Sequence, residues 1–278
     1  MGLRDFLAGG KLRISWKYVT EGQVWRVMPD STHYFVGEDR DIRQKTTSFF
    51  CLDALNGSVM WKDIRIDEQW WVGLEGIHRD VVYLHKFATP DMPGHKGVIA
   101  LDLLNGNVLW RDDDAIFLRV VGDTIIAGRL QPTGLVTVEL HYKTGKDLTA
   151  SAKAENTATD DLEATQFPIP LELVDEDLRS RIVGMISPSS LSVEVFEKDQ
   201  LLIISHHEKE EKRGEEGGVS FLNILRVMAL RNSKVLFEER LAVGAPSPVA
   251  DTFFIRGEML YYVKDRKIFT GVRLSGNT

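Results

Sequence analysis

Residues 100–110 read Ala-Leu-Asp-Leu-Leu-Asn-Gly-Asn-Val-Leu-Trp, and residues 51–61 read Cys-Leu-Asp-Ala-Leu-Asn-Gly-Ser-Val-Met-Trp. The two stretches start 49 residues apart, and each places an Asn-Gly turn between two short β-prone runs. The shared positions are Asp53, Asn56, Gly57 and Trp61 in the first copy and Asp102, Asn105, Gly106 and Trp110 in the second. We therefore predict one repeated hairpin, in which the Asp binds turn amides and the Trp packs against a neighbouring sheet.

Two fainter copies extend the pattern. Residues 139–149 keep Thr144-Gly145 but lose the aromatic residue, and residues 227–237 carry Asn232-Ser233 and end in Phe237. Two further β-prone runs precede each hairpin, so each unit has four short strands in about 45–50 residues. That period is typical of the blades of a β-propeller.

The pattern Ala-x-Asp-x-x-Asn-Gly-x-x-x-Trp resembles the tryptophan-docking repeat of the quinoprotein-like (pyrroloquinoline-quinone-type) β-propellers. The chain also resembles uncharacterised bacterial propeller families with no assigned activity. The resemblance implies that Trp61 and Trp110 pack between adjacent blades. The quinoprotein dehydrogenases are much longer and carry a vicinal cysteine pair, whereas this chain has one cysteine, Cys51. We therefore expect no cofactor, and we expect Cys51 to be a buried, inert residue of a strand.

The predicted fold is all-β: a single domain over residues 1–278 that forms a five-bladed β-propeller. The N-terminal strand, residues 11–19, is expected to complete the last blade and so to close the ring, which removes exposed sheet edges. A partly helical insertion is expected at about 150–190, with a helix from Asp175 to Gly184. Six blades remain the alternative if that segment contains a degenerate blade. The predicted blades are residues 23–66, 69–113, 115–150, 190–242, and 247–275 together with 11–19.

Composition limits the function. The formal net charge is −7, which argues against a nucleic-acid partner because binding phosphates requires a basic surplus. No stretch reaches the roughly 20 apolar residues of a membrane helix, and the N-terminus lacks a signal-peptide core, so we expect a cytoplasmic protein without a membrane partner. One cysteine excludes an internal disulfide. Nothing in the composition predicts the oligomeric state.

The candidate ligand-binding residues lie between the second and third strands of the predicted blades, in segments expected to form loops at the mouth of a central channel. Trp71 is added because Trp70 and Trp71 are adjacent, so on a strand their side chains point to opposite faces. The candidates are His85, His95, His206, His207, Asp39, Asp41 and Trp71.

These residues favour a non-catalytic propeller that binds a protein or small molecule on its loop face, since no catalytic signature is present. The alternative is a hydrolase or metal-dependent enzyme at the channel, with His206 or His207 acting together with His85 and a carboxylate. A glycoside-cleaving variant would use acids such as Glu75 or Asp123, most of which are expected in turns. No metal-ligand spacing is present, so no metal and no catalytic residue are assigned.

Overall fold

A computed structural model describes residues 11–89, 92–149, 165–211 and 219–275. It divides into two compact units. We call residues 20–162 the repeat unit, and residues 1–19 with 163–278 the terminal unit. Both units are built from antiparallel sheets, so the all-β prediction is confirmed. Within the described residues, no helix is long and apolar enough to cross a membrane.

After β1 (Ile14–Val19), which belongs to the terminal unit, the chain forms three meander sheets in the repeat unit. The first sheet contains β2 (Gln23–Pro29), β3 (Tyr34–Asp41), β4 (Thr46–Asp53) and β5 (Val59–Ile64). The second contains β6 (Val72–His78), β7 (Val81–Thr89), β8 (Met92–Asp102) and β9 (Val108–Asp112). The third contains β10 (Ala115–Val121), β11 (Thr124–Gln131) and β12 (Gly134–His141). The third sheet therefore has three strands within the described residues, where the sequence led us to expect four.

Within the described residues, the terminal unit contains two sheets. The larger has five strands: β13 (Ile169–Pro170), β14 (Leu191–Lys198), β15 (Leu201–Glu211), β16 (Val219–Ala229) and β17 (Val235–Ala245). The other has the order β1-β20-β19-β18, with β18 (Phe253–Arg256), β19 (Met259–Lys264) and β20 (Ile268–Arg273). The first strand of the chain thus pairs with the last one, which is the pairing expected for residues 11–19.

Residues 150–164 of the predicted insertion are outside the described part of the chain, and its described residues, 165–190, lie in the terminal unit. Helix α1 (Glu176–Val183) follows a 3₁₀ turn (Leu171–Leu173). Asp175 caps α1, because its Oδ1 accepts a hydrogen bond from the Leu178 amide at 3.0 Å, and Gly184 is the C-cap. The helix predicted from Asp175 to Gly184 is confirmed.

The turns of the two strongest repeats have the predicted hydrogen bonds. Asp53 Oδ1 accepts from the amides of Leu55 and Asn56 at 2.9 and 3.1 Å. Asp102 Oδ1 accepts from Leu104 and Asn105 at the same two distances. Each turn glycine has positive φ, 71° at Gly57 and 73° at Gly106, which only glycine adopts without strain.

Each repeat tryptophan contacts the turn of the next sheet. Trp61 Nε1 donates to the Leu103 carbonyl at 2.7 Å and packs on Gly106. Trp110 Nε1 donates to the Tyr142 carbonyl at 3.2 Å and packs on Gly145. The acceptor is in each case three residues before the glycine, so the geometry repeats even where the third turn has lost its Asp-Asn pair. These contacts link the three sheets of the repeat unit in series.

The second sheet is buried on both faces because its strands alternate apolar residues toward each neighbour. Val82 and Leu84 pack with the first sheet, whereas Val81 and Tyr83 pack with the third. Cys51 lies in the first of these cores, where burial raises the pKa of its thiol to about 12, in line with an inert residue.

The docking of Trp110 can be tested by closing the space over its glycine. A Cβ on Gly145 would lie 2.7 Å from Trp110 Cδ2, whereas a Cβ on Gly122 would have no atom within 4 Å, and both glycines have positive φ. We expect Gly122→Ala to cost about 1–2 kcal/mol of unfolding free energy from φ strain alone. Gly145→Ala should cost about 1–3 kcal/mol more through overpacking. Urea unfolding of both variants measures this difference, and equal losses would contradict the docking.

Candidate functional site

A cluster of two histidines and one carboxylate lies on neighbouring strands of the second sheet. Glu75 is on β6, His85 on β7 and His95 on β8. The side chain of His85 is 5% exposed, that of Glu75 18% and that of His95 36%. The cluster therefore extends from the buried His85, on the middle one of these three strands, to His95 at the surface.

A β-bulge places Glu75 in the cluster. Leu74 pairs with Leu84 and Gly76 with Tyr83, so Glu75 is an extra residue without a partner on β7. The sequence analysis assumed a turn at this position, but β6 continues through it to His78.

A second bulge places His95 beside His85. His85 pairs with Val98, whereas Lys86 pairs with Lys96, so Gly97 is the extra residue and has a φ of 82°. Directly paired residues of an antiparallel sheet share a face, and side chains alternate along each strand. His95 pairs with Phe87, which is two residues beyond His85 and on the same face. If Gly97 instead paired regularly with Lys86, Lys96 would pair with Phe87 and occupy the position of His95.

The carboxylate lies between the Nδ1 atoms of the two histidines. Glu75 Oε2 is 2.8 Å from His95 Nδ1, with which it forms a hydrogen bond, and 2.9 Å from His85 Nδ1. The contact with His85 lacks hydrogen-bond geometry, and within the described residues neither ring nitrogen of this buried histidine has a hydrogen-bond partner. The two imidazole rings are stacked, with centroids 3.5 Å apart and planes 6° from parallel.

Burial and the histidines act in opposite directions on Glu75. Burial raises the pKa of its carboxyl, but the contacts with His85 and then His95 outweigh that effect, so the pKa lies below the ordinary value. Glu75 is therefore a carboxylate at neutral pH. Its carboxylate provides one oxygen donor and the two imidazoles provide two nitrogen donors, and these three atoms lie within 4.8 Å of one another. It is the one such group of three donors within the part of the chain that the structure describes.

Side chains of the first sheet hold β6 in place. Glu38 and Arg40 are two residues apart on β3 and form a buried ion pair. Arg40 donates to the carbonyls of Trp70 and Val72 at 3.1 and 2.7 Å, and Glu38 Oε2 accepts from the Leu74 amide at 3.0 Å. These bonds satisfy the backbone groups on both sides of Gly73, the residue that pairs with His85.

Aromatic rings continue from the cluster across the surface. The aromatic face comprises Trp25, Trp70, Trp71, Phe87 and His95. Ring centroids are 6.5 Å apart for Trp70 and Trp71, 5.9 Å for Trp71 and Phe87, and 5.6 Å for Phe87 and His95. The Arg40 guanidinium lies between Trp25 and Trp70, at 5.3 and 5.0 Å from their centroids.

Trp71 belongs to this face for a reason that the sequence analysis did not anticipate. The strand begins at Val72, so Trp70 and Trp71 lie in the bend before it, and strand alternation does not apply to them. Glu68 Oε1 accepts hydrogen bonds from both of their amides, at 3.0 and 2.9 Å. This bend leaves Trp71 36% exposed beside the half-buried Trp70.

The two aspartates have local roles. Asp41 Oδ1 accepts from the amides of Arg43 and Gln44 at 2.8 and 2.9 Å, so it stabilises the turn after β3. Asp39 Oδ2 accepts from the Gly22 amide at 3.3 Å, and burial raises the pKa of its carboxyl. Both residues are on β3 and not in a loop as expected.

His206 and His207 are fully buried on β15 of the terminal unit, where the sequence analysis expected a loop. Ser190 Oγ is 3.0 Å from His206 Nδ1. His207 Nε2 is 2.7 Å from Asn223 Nδ2 and accepts from the Val249 amide at 3.3 Å. These contacts join the segment before β18 to the large sheet and lie within the terminal unit.

From the sequence, Glu75 was predicted only as an acid in a turn, without a connection to His85 and His95. The available signal is the run Gly73-Leu74-Glu75-Gly76, because glycine inside a strand pattern often marks a bulge. The ion pair of Glu38 and Arg40 was also missed, since its partners are backbone groups of another sheet.

A family model described as "Domain of unknown function (DUF4905)" matches residues 28–110, a stretch that contains the cluster and both strong repeats. Comparison with curated proteins gives no match. Among solved structures, the chain is similar to BamB from Moraxella catarrhalis, with 9% identity over 96% of this chain and 99% of that one and a TM-score of 0.30. It is also similar to MPT-4, a mannose phosphorylase from Leishmania mexicana in complex with phosphate ion, with 8% identity over 97% and 91% of the two chains and a TM-score of 0.29.

The buried His206 predicts a pH dependence of stability. Burial, followed by the nearby Arg226 and His207, lowers its pKa to about 4, below the ordinary value of a histidine. The unfolded chain therefore binds this proton more readily, and stability is lost as the pH falls from about 6.5 to about 4. The full loss from this group is about 3 kcal/mol.

Urea unfolding between pH 7 and pH 4 tests this prediction. We expect the free energy of unfolding of His206→Gln to fall less steeply with decreasing pH than that of the wild type. The exposed His33→Gln is the matched control and should keep the wild-type slope. Parallel profiles for the wild type and His206→Gln would contradict the assignment.

Proposed function

We propose that this chain is a non-catalytic binding protein of the β-propeller class and that a protein partner docks on its aromatic face. In this proposal the five sheets are blades, and β1 completes the last one. The single observation that carries the docking proposal is the continuous row of aromatic rings from Trp25 to His95.

The composition of the aromatic face supports a protein partner. Trp25 is 53% exposed, and Trp71 is 36% exposed. Tryptophan is enriched among the residues that contribute most to protein–protein affinity, since its flat ring buries a large area. Such interfaces usually also have polar groups at their rim, and Glu75 is such a group here.

The aromatic face is held rigid before any partner binds. Arg40 is anchored by the Glu38 ion pair and by two backbone carbonyls, and it contacts the rings of both Trp25 and Trp70. Glu68 fixes the backbone of Trp71. A prearranged surface loses less conformational entropy on association, which favours binding.

Affinity capture from the native cell tests the proposal. We compare the wild type with Trp25→Ala/Trp71→Ala, and we use Phe167→Ala as a matched control because Phe167 is an exposed aromatic residue of the terminal unit. A partner retained by the wild type and the control but lost by the double variant would support docking on this face. With that partner purified, each Trp→Ala change should weaken binding by about 30-fold, the effect of about 2 kcal/mol.

Two results would contradict the proposal. One is capture of the same proteins, in the same amounts, by all three chains. The other is the absence of any enriched protein while a small molecule quenches the tryptophan fluorescence of the wild type but not that of Trp25→Ala/Trp71→Ala, which would favour a small ligand in place of a protein.

A second candidate is a metal-dependent hydrolase. The observation that favours it is the cluster of Glu75, His85 and His95, because catalytic zinc sites use three protein ligands and leave one position open. Incubation of the Zn²⁺-treated protein with nitrophenyl esters, phosphates and glycosides separates the two functions. Hydrolysis above that of free Zn²⁺ that is lost in Glu75→Gln would support the enzyme, whereas the binding proposal predicts no turnover.

A further inference from the structure

We propose that Glu75, His85 and His95 form a binding site for a divalent transition-metal ion of the zinc class. The ligands would be the Glu75 carboxylate and the Nδ1 atoms of the two histidines. This site does not depend on the docking of a protein partner and would exist in either of the functions considered above.

The donor atoms are already close to the spacing that such an ion needs. Zinc binds imidazole nitrogen and carboxylate oxygen at about 2.0–2.2 Å, which places donors about 3.3 Å apart around a tetrahedral ion. Glu75 Oε2 lies 2.9 and 2.8 Å from the two Nδ1 atoms, and all three donors are within 4.8 Å of one another. Shifts of a few tenths of an ångström therefore suffice for the two nitrogen–oxygen separations.

One ring must turn when the ion binds. The imidazoles are 6° from parallel and 3.5 Å apart, so their in-plane lone pairs run side by side and do not converge on one point. His95 is the ring that can move, because its side chain is 36% exposed, whereas that of His85 is 5% exposed. The ion would therefore enter a half-formed site, which consists of one fixed imidazole, one carboxylate and one imidazole that can move.

The state of His85 is an independent indication of a ligand. It is buried on the central strand of the site, and neither of its ring nitrogens has a hydrogen-bond partner among the residues that the structure describes. A buried polar group without a hydrogen-bond partner destabilises the folded state. A metal ion bound to Nδ1 would give this atom its partner.

The donor set selects the class of ion. Imidazole nitrogen favours Zn²⁺, Cu²⁺, Fe²⁺ and Ni²⁺, whereas Mg²⁺ and Ca²⁺ require a shell of oxygen ligands. Only one carboxylate contributes here, so we expect little affinity for the two oxygen-preferring ions. With three protein ligands, water or a group from a bound molecule would complete the coordination.

Other soft donors of the chain do not compete at neutral pH. Cys51 is buried, and its pKa is raised to about 12, so its thiolate is scarce. His206 and His207 are fully buried within the terminal unit. The remaining histidines, His33, His78 and His141, are not part of any three-donor group in the described ranges.

Isothermal titration of the tag-free, EDTA-treated full chain with ZnCl₂ tests the proposal. We expect one ion per chain and a melting temperature that rises by roughly 5–10 °C when Zn²⁺ is 100 times its dissociation constant. MgCl₂ and CaCl₂ should produce neither effect. Co²⁺ should give visible absorption bands, which report nitrogen and oxygen ligation directly.

Three variants locate the ion. His95→Ala and Glu75→Gln should each weaken Zn²⁺ binding at least about 100-fold, since loss of even an outer-shell partner costs 10–100-fold. His33→Ala is the matched control, because it removes an exposed histidine of the same unit, and it should bind as the wild type does. Circular dichroism of the metal-free variants checks that each one is folded.

Two results would overturn the proposal. One is the absence of stoichiometric Zn²⁺ binding by the wild type, together with an unchanged melting temperature. The other is binding that His95→Ala and Glu75→Gln retain at wild-type affinity, which would place the ion elsewhere. Zn²⁺ binding that is lost in both variants but kept in His33→Ala supports the site whether or not any protein partner is found.

Discussion

The repeat unit depends on one contact: a tryptophan at the end of each of the first two sheets that reaches the turn of the next sheet. The indole of Trp61 donates to the Leu103 carbonyl and covers Gly106, and Trp110 makes the same contact with Tyr142 and Gly145. A large apolar ring fills the gap between sheets while its one polar atom is satisfied, so burial incurs no unpaired donor. Glycine is required at Gly106 and Gly145 for two reasons: the backbone has a positive φ there, and the tryptophan ring occupies the space where a side chain would lie.

Because the sheets are docked in this way, side chains of one sheet can hold the backbone of the next. Glu38 and Arg40 bind carbonyl and amide groups of the segment from Trp70 to Leu74, and Arg26 donates to the Leu74 carbonyl at 2.8 Å. These bonds fix the strand that bears Glu75. The positions of the candidate ligands thus follow from contacts between sheets and not only from the hairpin that carries the histidines.

The turns and the docking tryptophans could be predicted from the sequence because both depend on a few residues at fixed spacing. The same holds for α1, whose start is determined by Asp175 as its cap. The candidate site was only partly predictable. His85 and His95 were chosen as candidate site residues, but they were expected in a loop. The strands that bear them extend beyond their hydrophobic residues, and these polar strand ends resemble a loop in the sequence. The bulges at Glu75 and Gly97 depend on cross-strand register, which one strand's sequence does not reveal.

The bulge at Gly97 also has an evolutionary consequence. A substitution of Gly97 that removed the bulge, so that this position paired with Lys86, would shift the outer half of β8 by one residue relative to β7 and bring Lys96 opposite Phe87. An ammonium group would then stand where an imidazole now faces Glu75, and the pocket would repel cations while both neighbouring turns kept their sequences. One substitution outside the ligand set is therefore enough to separate descendants that retain this chemistry from those that lose it.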